Sequence, residues 1–229
     1  VTKDGGSIYW AGLNKGKRSI AVDLRNPRGR ELLSALIAAP GEGGGIFTTN
    51  MPARGWLSYE ELSKKRADLI ALNIVGDRHG TANVDYTVNA ITGFPMVTGA
   101  VGQQGPVNAV APPWDLATAY AGAMAILAAE RHRRITGKGQ RIEIACAEAG
   151  ASLTGPALLD GDVNGRPARR PGAPHSNREP GLAPHGIYRA RGDDAWVALS
   201  VADDAQWRSF TGVIGAAYLA RAKRRATGT

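Results

Sequence analysis

The order of side-chain patterns up to Val75 constrains the fold more than any other feature of the chain. Residues 17–24 (KRSIAVDL) alternate, with Ile20, Val22 and Leu24 on one face, as a half-buried strand does. Asn26-Pro27-Arg28-Gly29 is a turn or helix start, and residues 30–39 then place Leu32, Leu33, Leu36 and Ile37 at helical spacing. Pro40 and glycines 41, 43, 44 and 45 stop that helix, and Ile46-Phe47-Thr48-Thr49 reads as a short strand. Ser58, with Glu61 three residues on, is a capping box opening the next helix. Residues 67–75 (ADLIALNIV) form the unbroken apolar run of a strand buried on both faces. Strand, helix, strand, helix, strand predicts an α/β fold with a doubly wound, Rossmann-like large domain.

Further along, residues 115–134 are the clearest helix, and Gly137-Lys138-Gly139 turns the chain into a strand over 140–146. Residues 160–186 are rich in Pro, Gly and Arg; a strand over 195–201 and a short helix over 204–210 follow. This order predicts a large domain over 1–160, a linker over 161–185, and the start of a second, smaller α+β domain over 186–229. The longest apolar run, 116–129, is Ala-rich and shorter than the ~20 residues a bilayer demands, so it reads as a buried helix and no membrane partner is expected. A single cysteine, Cys146, cannot form an internal disulfide, and no signal-peptide pattern opens the chain; both fit a cytoplasmic location. The first residue is Val1 and the chain opens in mid-pattern, so an incomplete N-terminus is expected.

The net charge of +8 is clustered at Arg131, Arg133, Arg134, Lys138 and Arg141, at Arg166, Arg169 and Arg170, and at Arg221, Lys223, Arg224 and Arg225. Such clusters either attract polyanions, nucleic acid or a phosphate-rich ligand, or are ordinary solvated faces. Sharper motifs are excluded by spacing. Gly41 to Ile46 lacks the last glycine of a dinucleotide fingerprint, and neither Gly-Lys pair (Gly16-Lys17, Gly137-Lys138) has Walker spacing. His79, His132, His175 and His185 are scattered, so no metal site is expected, and no nucleophile elbow points to a serine hydrolase.

What remains is Pro112-Pro113-Trp114-Asp115 in front of the long helix. Asp115 reads either as an N-cap, accepting from backbone N–H groups, or as a nucleophile held ionised by the positive end of the helix dipole.

The ordered set of short motifs resembles the family III CoA-transferases. Asn14-Lys15-Gly16-Lys17-Arg18-Ser19-Ile20 with Asp23-Leu24 resembles an early family segment, and Thr49-Asn50-Met51-Pro52 with Gly55-Trp56-Leu57-Ser58-Tyr59-Glu60-Glu61-Leu62 a second. Asp115 with Gly122 resembles the nucleophile motif, and Thr136-Gly137-Lys138-Gly139-Gln140 the following turn. Ala183-Pro184-His185-Gly186-Ile187-Tyr188, Gly192-Asp193-Asp194 and Gln206-Trp207 resemble a later stretch, and the likeness runs to about Gly215. Tyr9-Trp10-Ala11-Gly12-Leu13-Asn14, Val84 to Asn89, Gly93-Phe94-Pro95 and Pro106-Val107-Asn108 look most like the branch that shifts CoA from C1 to C4 of mesaconate.

The resemblance implies a transferase that moves CoA between carboxylates through an aspartyl-CoA thioester on Asp115, with Asp85 the competing nucleophile but without a helix start. It implies CoA contacts at Asn14, Lys15, Gly16 and Lys17, at Asn50, Met51, Pro52 and Arg54, and at Asn83, Val84, Asp85 and Tyr86. Met51 stands where the family carries an aromatic, and the four-residue gap before Gly55 separates Arg54 from its family counterpart. Backbone N–H groups at Gly93 or Gly99 are candidate oxyanion donors. Acyl-CoA and carboxylic acids are the implied partners, with CoA as substrate, no tightly bound cofactor, no nucleic acid, and an interlocked homodimer. The resemblance also implies that the first strand–helix unit and a C-terminal return to the large domain lie outside this chain. Two other readings stay open. The 2-methylacyl-CoA racemases would need a histidine where Val84 stands, and an inactive basic module would bind nucleic acid through residues 131–141.

Overall fold

The structure is a computed structural model that describes residues 1–41, 43–99, 105–109, 111–165 and 181–216. It divides into two compact units, Val1–Asn73 with Met124–Ile142, and Ile74–Ala123 with Glu143–Thr229.

The first unit contains α1 (Ile8–Leu13), α2 (Pro27–Ile37), β1 (Ile46–Thr49), α3 (Tyr59–Lys65) and the beginning of β2 (Ile70–Val75). Asn26 caps α2 by accepting from the Arg28 N–H, with Pro27 at the first helical position, where a missing N–H costs nothing. Ser58 caps α3 in the same way, its hydroxyl accepting from the Glu61 N–H at 3.3 Å. β1 and β2 pair in parallel, Ile46 opposite Ile70 through Thr49 opposite Asn73, so α3 is the crossover of a β–α–β unit. Leu62 from that helix packs on Leu69 and Ala71, with Ile37, Phe47, Leu57 and Tyr59 around them. β3 (Gln140–Ala145) completes a three-stranded sheet in the order β1-β2-β3. β2 is thus the central strand, which is why Ile70, Ala71 and Leu72 are buried.

Buried Arg133 fastens this unit. Its guanidinium donates to the carbonyls of Gly44 (2.9 Å), Gly45 (3.2 Å) and Asp68 (3.2 Å) and pairs with Glu130. Arg134 also pairs with Glu130, and Arg141 with Glu60. Much of the basic cluster over 131–141 therefore has local partners, and one member is a buried tie rather than a polyanion contact.

The strand expected over 17–24 does not form. Its alternation is real, but a strand needs a neighbouring backbone, and among the described residues the sheet holds only β1, β2 and β3. Ile20 and Leu24 are accordingly exposed.

The second unit holds α4 (Asp85–Ile91), α5 (Phe94–Val97), the start of α6 (Pro113–Thr136), α7 (Cys146–Leu153) and α8 (Gly155–Asn164). It also holds the antiparallel pair β4 (His185–Arg189) and β5 (Trp196–Ser200), then α9 (Asp204–Val213), capped by Asp203. Cys146 opens α7 rather than closing β3. Of the linker expected over 161–185, residues 161–164 complete α8 and 166–180 lie outside the described residues. Val88, Trp114 and Cys146, with Phe94, form the core of this unit. The architecture is mixed α/β, with a parallel strand pair and helices.

Candidate active site

Asp115 does not begin its helix. α6 starts at Pro113, so Trp114 and Asp115 are its second and third residues. The N–H groups of a helix's first turn have no partner within the helix. Here Pro113 has none to offer, and the N–H groups of Trp114 (2.7 Å) and Asp115 (3.0 Å) both donate to Oδ2 of Asp85. The Leu116 N–H reaches the Pro112 carbonyl at 3.3 Å. The capping carboxylate therefore comes from another helix, and the expectation that Asp115 is its own helix's N-cap is corrected. So is the expectation that Asp85 lacks a helix start: it is the first residue of α4 and only 4% exposed.

The loop before α4 fixes Asp85 in place. Oδ1 of Asp77 accepts from the His79 and Thr81 N–H groups, both at 2.9 Å, and its Oδ2 from the Asn83 side chain at 3.3 Å. A side chain at Gly76 would collide with the Thr81 carbonyl and the Asn83 nitrogen, so the loop closes only over glycine. Thr87 then accepts from the Val84 N–H at 3.0 Å, setting the first turn of α4.

One turn along α4 from Asp85, Asn89 accepts from the Trp114 indole N–H at 2.9 Å and donates to Asn108 at 2.6 Å. Phe94 meets the Trp114 ring edge-on at 5.3 Å. Asp85 and Asn89, four residues apart on one helical face, thus hold the backbone and the side chain of the residue before Asp115. On the other side, α7 approaches through Gly150, where an added Cβ would lie 2.7 Å from Thr92 Cγ2 and 3.1 Å from Trp114 Cε3. Gly150→Ala is expected to cost about 1–3 kcal/mol by overpacking this contact, measured by urea denaturation. A cost under about 0.3 kcal/mol would show that the packing around Trp114 gives way easily.

Asp115 itself is exposed, and among the described residues its carboxylate has no hydrogen-bonding partner. Partial desolvation, then the negative charge of Asp85, raise its pKa above the ordinary aspartate value. Cys146 is no rival nucleophile. It is buried, receives the Thr118 hydroxyl at 3.2 Å, and its thiol pKa is pushed up, first by burial and further by the charges of Asp115 and Asp85. Gly93 is no spare oxyanion donor, because its N–H donates to the Ala90 carbonyl at 3.2 Å.

The remaining expected ligand contacts belong to both units. In the second unit, Val84 and Tyr86 are exposed, Asn83 is half-buried, and Asp85 turns its carboxylate to α6. In the first unit, Asn14, Lys15, Gly16 and Lys17 form a turn after α1. Gly16 takes φ +71°, and the Lys17 ammonium donates to Asn14 Oδ1 at 3.1 Å. Asn50, Met51, Pro52 and Arg54 follow β1 and are exposed. Nearby, Thr49, Ala53, Tyr59, Asn73 and Arg141 help to line a cleft of about 40 Å³, room for little more than water. Sequence reasoning missed Asn89, Asn108, Trp114 and Gly150 as parts of the site. The available signal was the polar pair Asp85 and Asn89 on the same helical face as apolar Val88.

Among the described residues, no helix is long and apolar enough to cross a membrane, and no cluster of His, Cys, Asp and Glu could hold a metal ion. A 2-methylfumaryl-CoA isomerase of Chloroflexus aurantiacus is 58% identical over 156 residues, covering 68% of this chain and 38% of that protein. A succinate–glutarate CoA-transferase of Agrobacterium fabrum is 30% identical over 226 residues, covering 96% of this chain and 55% of that protein. The chain thus spans about half the length, or less, of these two relatives. A CaiB/BaiF family protein from Brucella suis superposes with a TM-score of 0.74 at 26% identity, over 94% of this chain and 56% of that one. The sequence model described as CoA-transferase family III matches residues 1–229, past Gly215 where the motif resemblance stops. The chain belongs to CoA-transferase family III.

Proposed function

We propose that the protein moves CoA between carboxylates through an aspartyl-CoA thioester on Asp115, and that its substrate is mesaconyl-CoA, with CoA passing from C1 to C4. The ionised carboxylate of Asp115 attacks the thioester carbonyl, forming a mixed anhydride and releasing CoA thiolate. The thiolate attacks the aspartyl carbonyl, which leaves aspartyl-CoA and a free acid. Either carboxylate of that acid then attacks aspartyl-CoA, and the two steps run in reverse. Splitting the exchange in this way replaces one difficult step by easier ones.

The observation that carries this reading is an exposed carboxylate with no hydrogen-bonding partner among the described residues, on a helix turn that a second, buried carboxylate grips. Relatives named for CoA transfer and for isomerisation of an acyl-CoA support it over a racemase or a nucleic-acid module. Val84, where a racemase would need its basic histidine, has no ionisable group.

Around this chemistry, CoA contacts the turn Asn14–Lys17, the segment of Asn50, Met51, Pro52 and Arg54, and residues 83–86. The large domain over 1–160 is doubly wound and Rossmann-like, and the segment from 186 is part of a small domain. The full-length protein is a cytoplasmic interlocked homodimer without a tightly bound cofactor.

The test is to incubate the full-length protein with C1-mesaconyl-CoA alone, and separately succinyl-CoA with free mesaconate, and to resolve the acyl-CoA products by chromatography. The C4 isomer should form without any added acid. Product only in the second mixture would make the transfer intermolecular. Product in neither, with exchange of the α-proton of a 2-methylacyl-CoA in D2O, would overturn the reading.

A further inference from the structure

Asp85 has two features that a simple helix cap does not require. It is buried, and its charge lies close enough to Asp115 to raise that group's pKa. A cap serves as well when supplied by the serine, threonine or asparagine of the helix itself. Here a carboxylate is brought in from a separate helix, and a single oxygen, Oδ2, takes both the Trp114 and the Asp115 N–H groups. Charge-assisted bonds of this kind are about twice as strong as neutral ones. The Asp77 loop fixes one end of α4, and Asn89, one turn on, locks the Trp114 ring. Orientation at the α6 turn is therefore set twice, at the backbone and at the side chain.

We propose that Asp85 is a positioning residue for CoA transfer: by gripping the N–H groups of Trp114 and Asp115, its buried carboxylate fixes the direction in which Asp115 presents its own carboxylate to the thioester. The proposal rests on the reading of Asp115 as the nucleophile. Attack on a carbonyl needs near-attack geometry, and a shift of about 1 Å costs on the order of 100-fold in rate. Among the described residues, the titratable groups facing this turn are Asp85 from α4 and the Cys146 thiol from α7. Desolvation first, and then the charge of Asp85, makes Asp115 harder to ionise and, once ionised, more basic. Asp85 thus affects both the aim and the reactivity of the nucleophile without its carboxylate, which is turned to α6, touching substrate.

Two variants of the full-length protein separate this role from a purely structural one. Asp85→Asn keeps a carbonyl oxygen that can accept the two N–H groups and removes the charge. Asp85→Ala removes both. In Asp85→Asn the acid limb of the kcat profile should move to lower pH, with kcat reduced several-fold and the KM for acyl-CoA within about threefold of wild type. In Asp85→Ala, kcat should fall roughly 100-fold at unchanged KM, and asparagine should rescue most of that loss. An acid limb that stays put in Asp85→Asn, together with a loss in Asp85→Ala matched by the folded fraction, would reduce Asp85 to a structural cap. A large rise in KM at unchanged kcat would make it a ligand contact instead. Hydroxylamine trapping on the wild type separates the two levels: an adduct on Asp115 with no effect of Asp85 overturns this inference alone, whereas an adduct on another residue overturns the nucleophile reading beneath it.

Discussion

Asp115→Asn is expected to lower the rate of CoA transfer by on the order of 10⁴–10⁶-fold while leaving the protein at least as stable at neutral pH. Losses of that size follow when a covalent nucleophile is removed and only binding and electrostatic groups remain. The stability half of the expectation comes from the direction of the pKa shift. Desolvation, then the charge of Asp85, raises the pKa of Asp115 in the folded state. The folded state thus favours the protonated form, a contribution fully present below the unfolded pKa and lost as pH rises through the folded one. Above that range the ionised carboxylate opposes folding, and asparagine does not. Melting curves should therefore place Asp115→Asn at or above wild type at pH 7, with the gap closing as the pH falls towards the ordinary aspartate value. The same shift puts the acid limb of the wild-type activity profile above that value. A variant that is inactive because it has unfolded would contradict the account.

The second large effect is expected at Trp114, where the consequence is structural first. Its ring is 2% exposed, packs against Phe94, Val88 and Cys146, and lies over Gly150. Trp114→Ala should cost about 3–5 kcal/mol by opening a cavity at the base of the site. It would also leave Oδ1 of Asn89 without the indole N–H, a loss of about 1–3 kcal/mol on its own. Trp114→Phe separates the two, since it retains most of the ring and removes the donor, and it should show only the smaller cost. Urea denaturation of the three proteins by circular dichroism measures both. A cost below about 1 kcal/mol for the alanine variant would mean that α4, α6 and α7 are not held through this residue.

These two residues also mark how far the sequence could be read. The β1–α3–β2 unit was legible because its signals are local: Ser58 with Glu61 three residues on, then an apolar run long enough for one buried strand. The strand expected over 17–24 was not, because alternation reports a face and says nothing about whether a neighbouring backbone is present. Asp115 was legible as a carboxylate at a helix start, yet of its two open readings the N-cap one does not hold. The capping rule considers only residues adjacent in sequence, so it offered Asp115 the position that Asp85 fills from 30 residues away. It also passed over Pro113, which suits the first position of a helix and moves the start two residues back. The bonds joining Asp85, Asn89, Asn108 and Trp114 depend on tertiary contacts that no single stretch of sequence announces. Their only trace was two polar residues on the apolar face of α4.

The measurement that tests the central claim most directly is intact-protein mass spectrometry of the full-length protein mixed with mesaconyl-CoA and hydroxylamine, followed by peptide mapping. A thioester on an aspartate is cleaved by hydroxylamine to leave a hydroxamate on the residue that carried it. The account predicts a hydroxamate on Asp115 that is absent from Asp115→Ala. An adduct on Asp85 or elsewhere, or full transfer activity without any adduct, would contradict it.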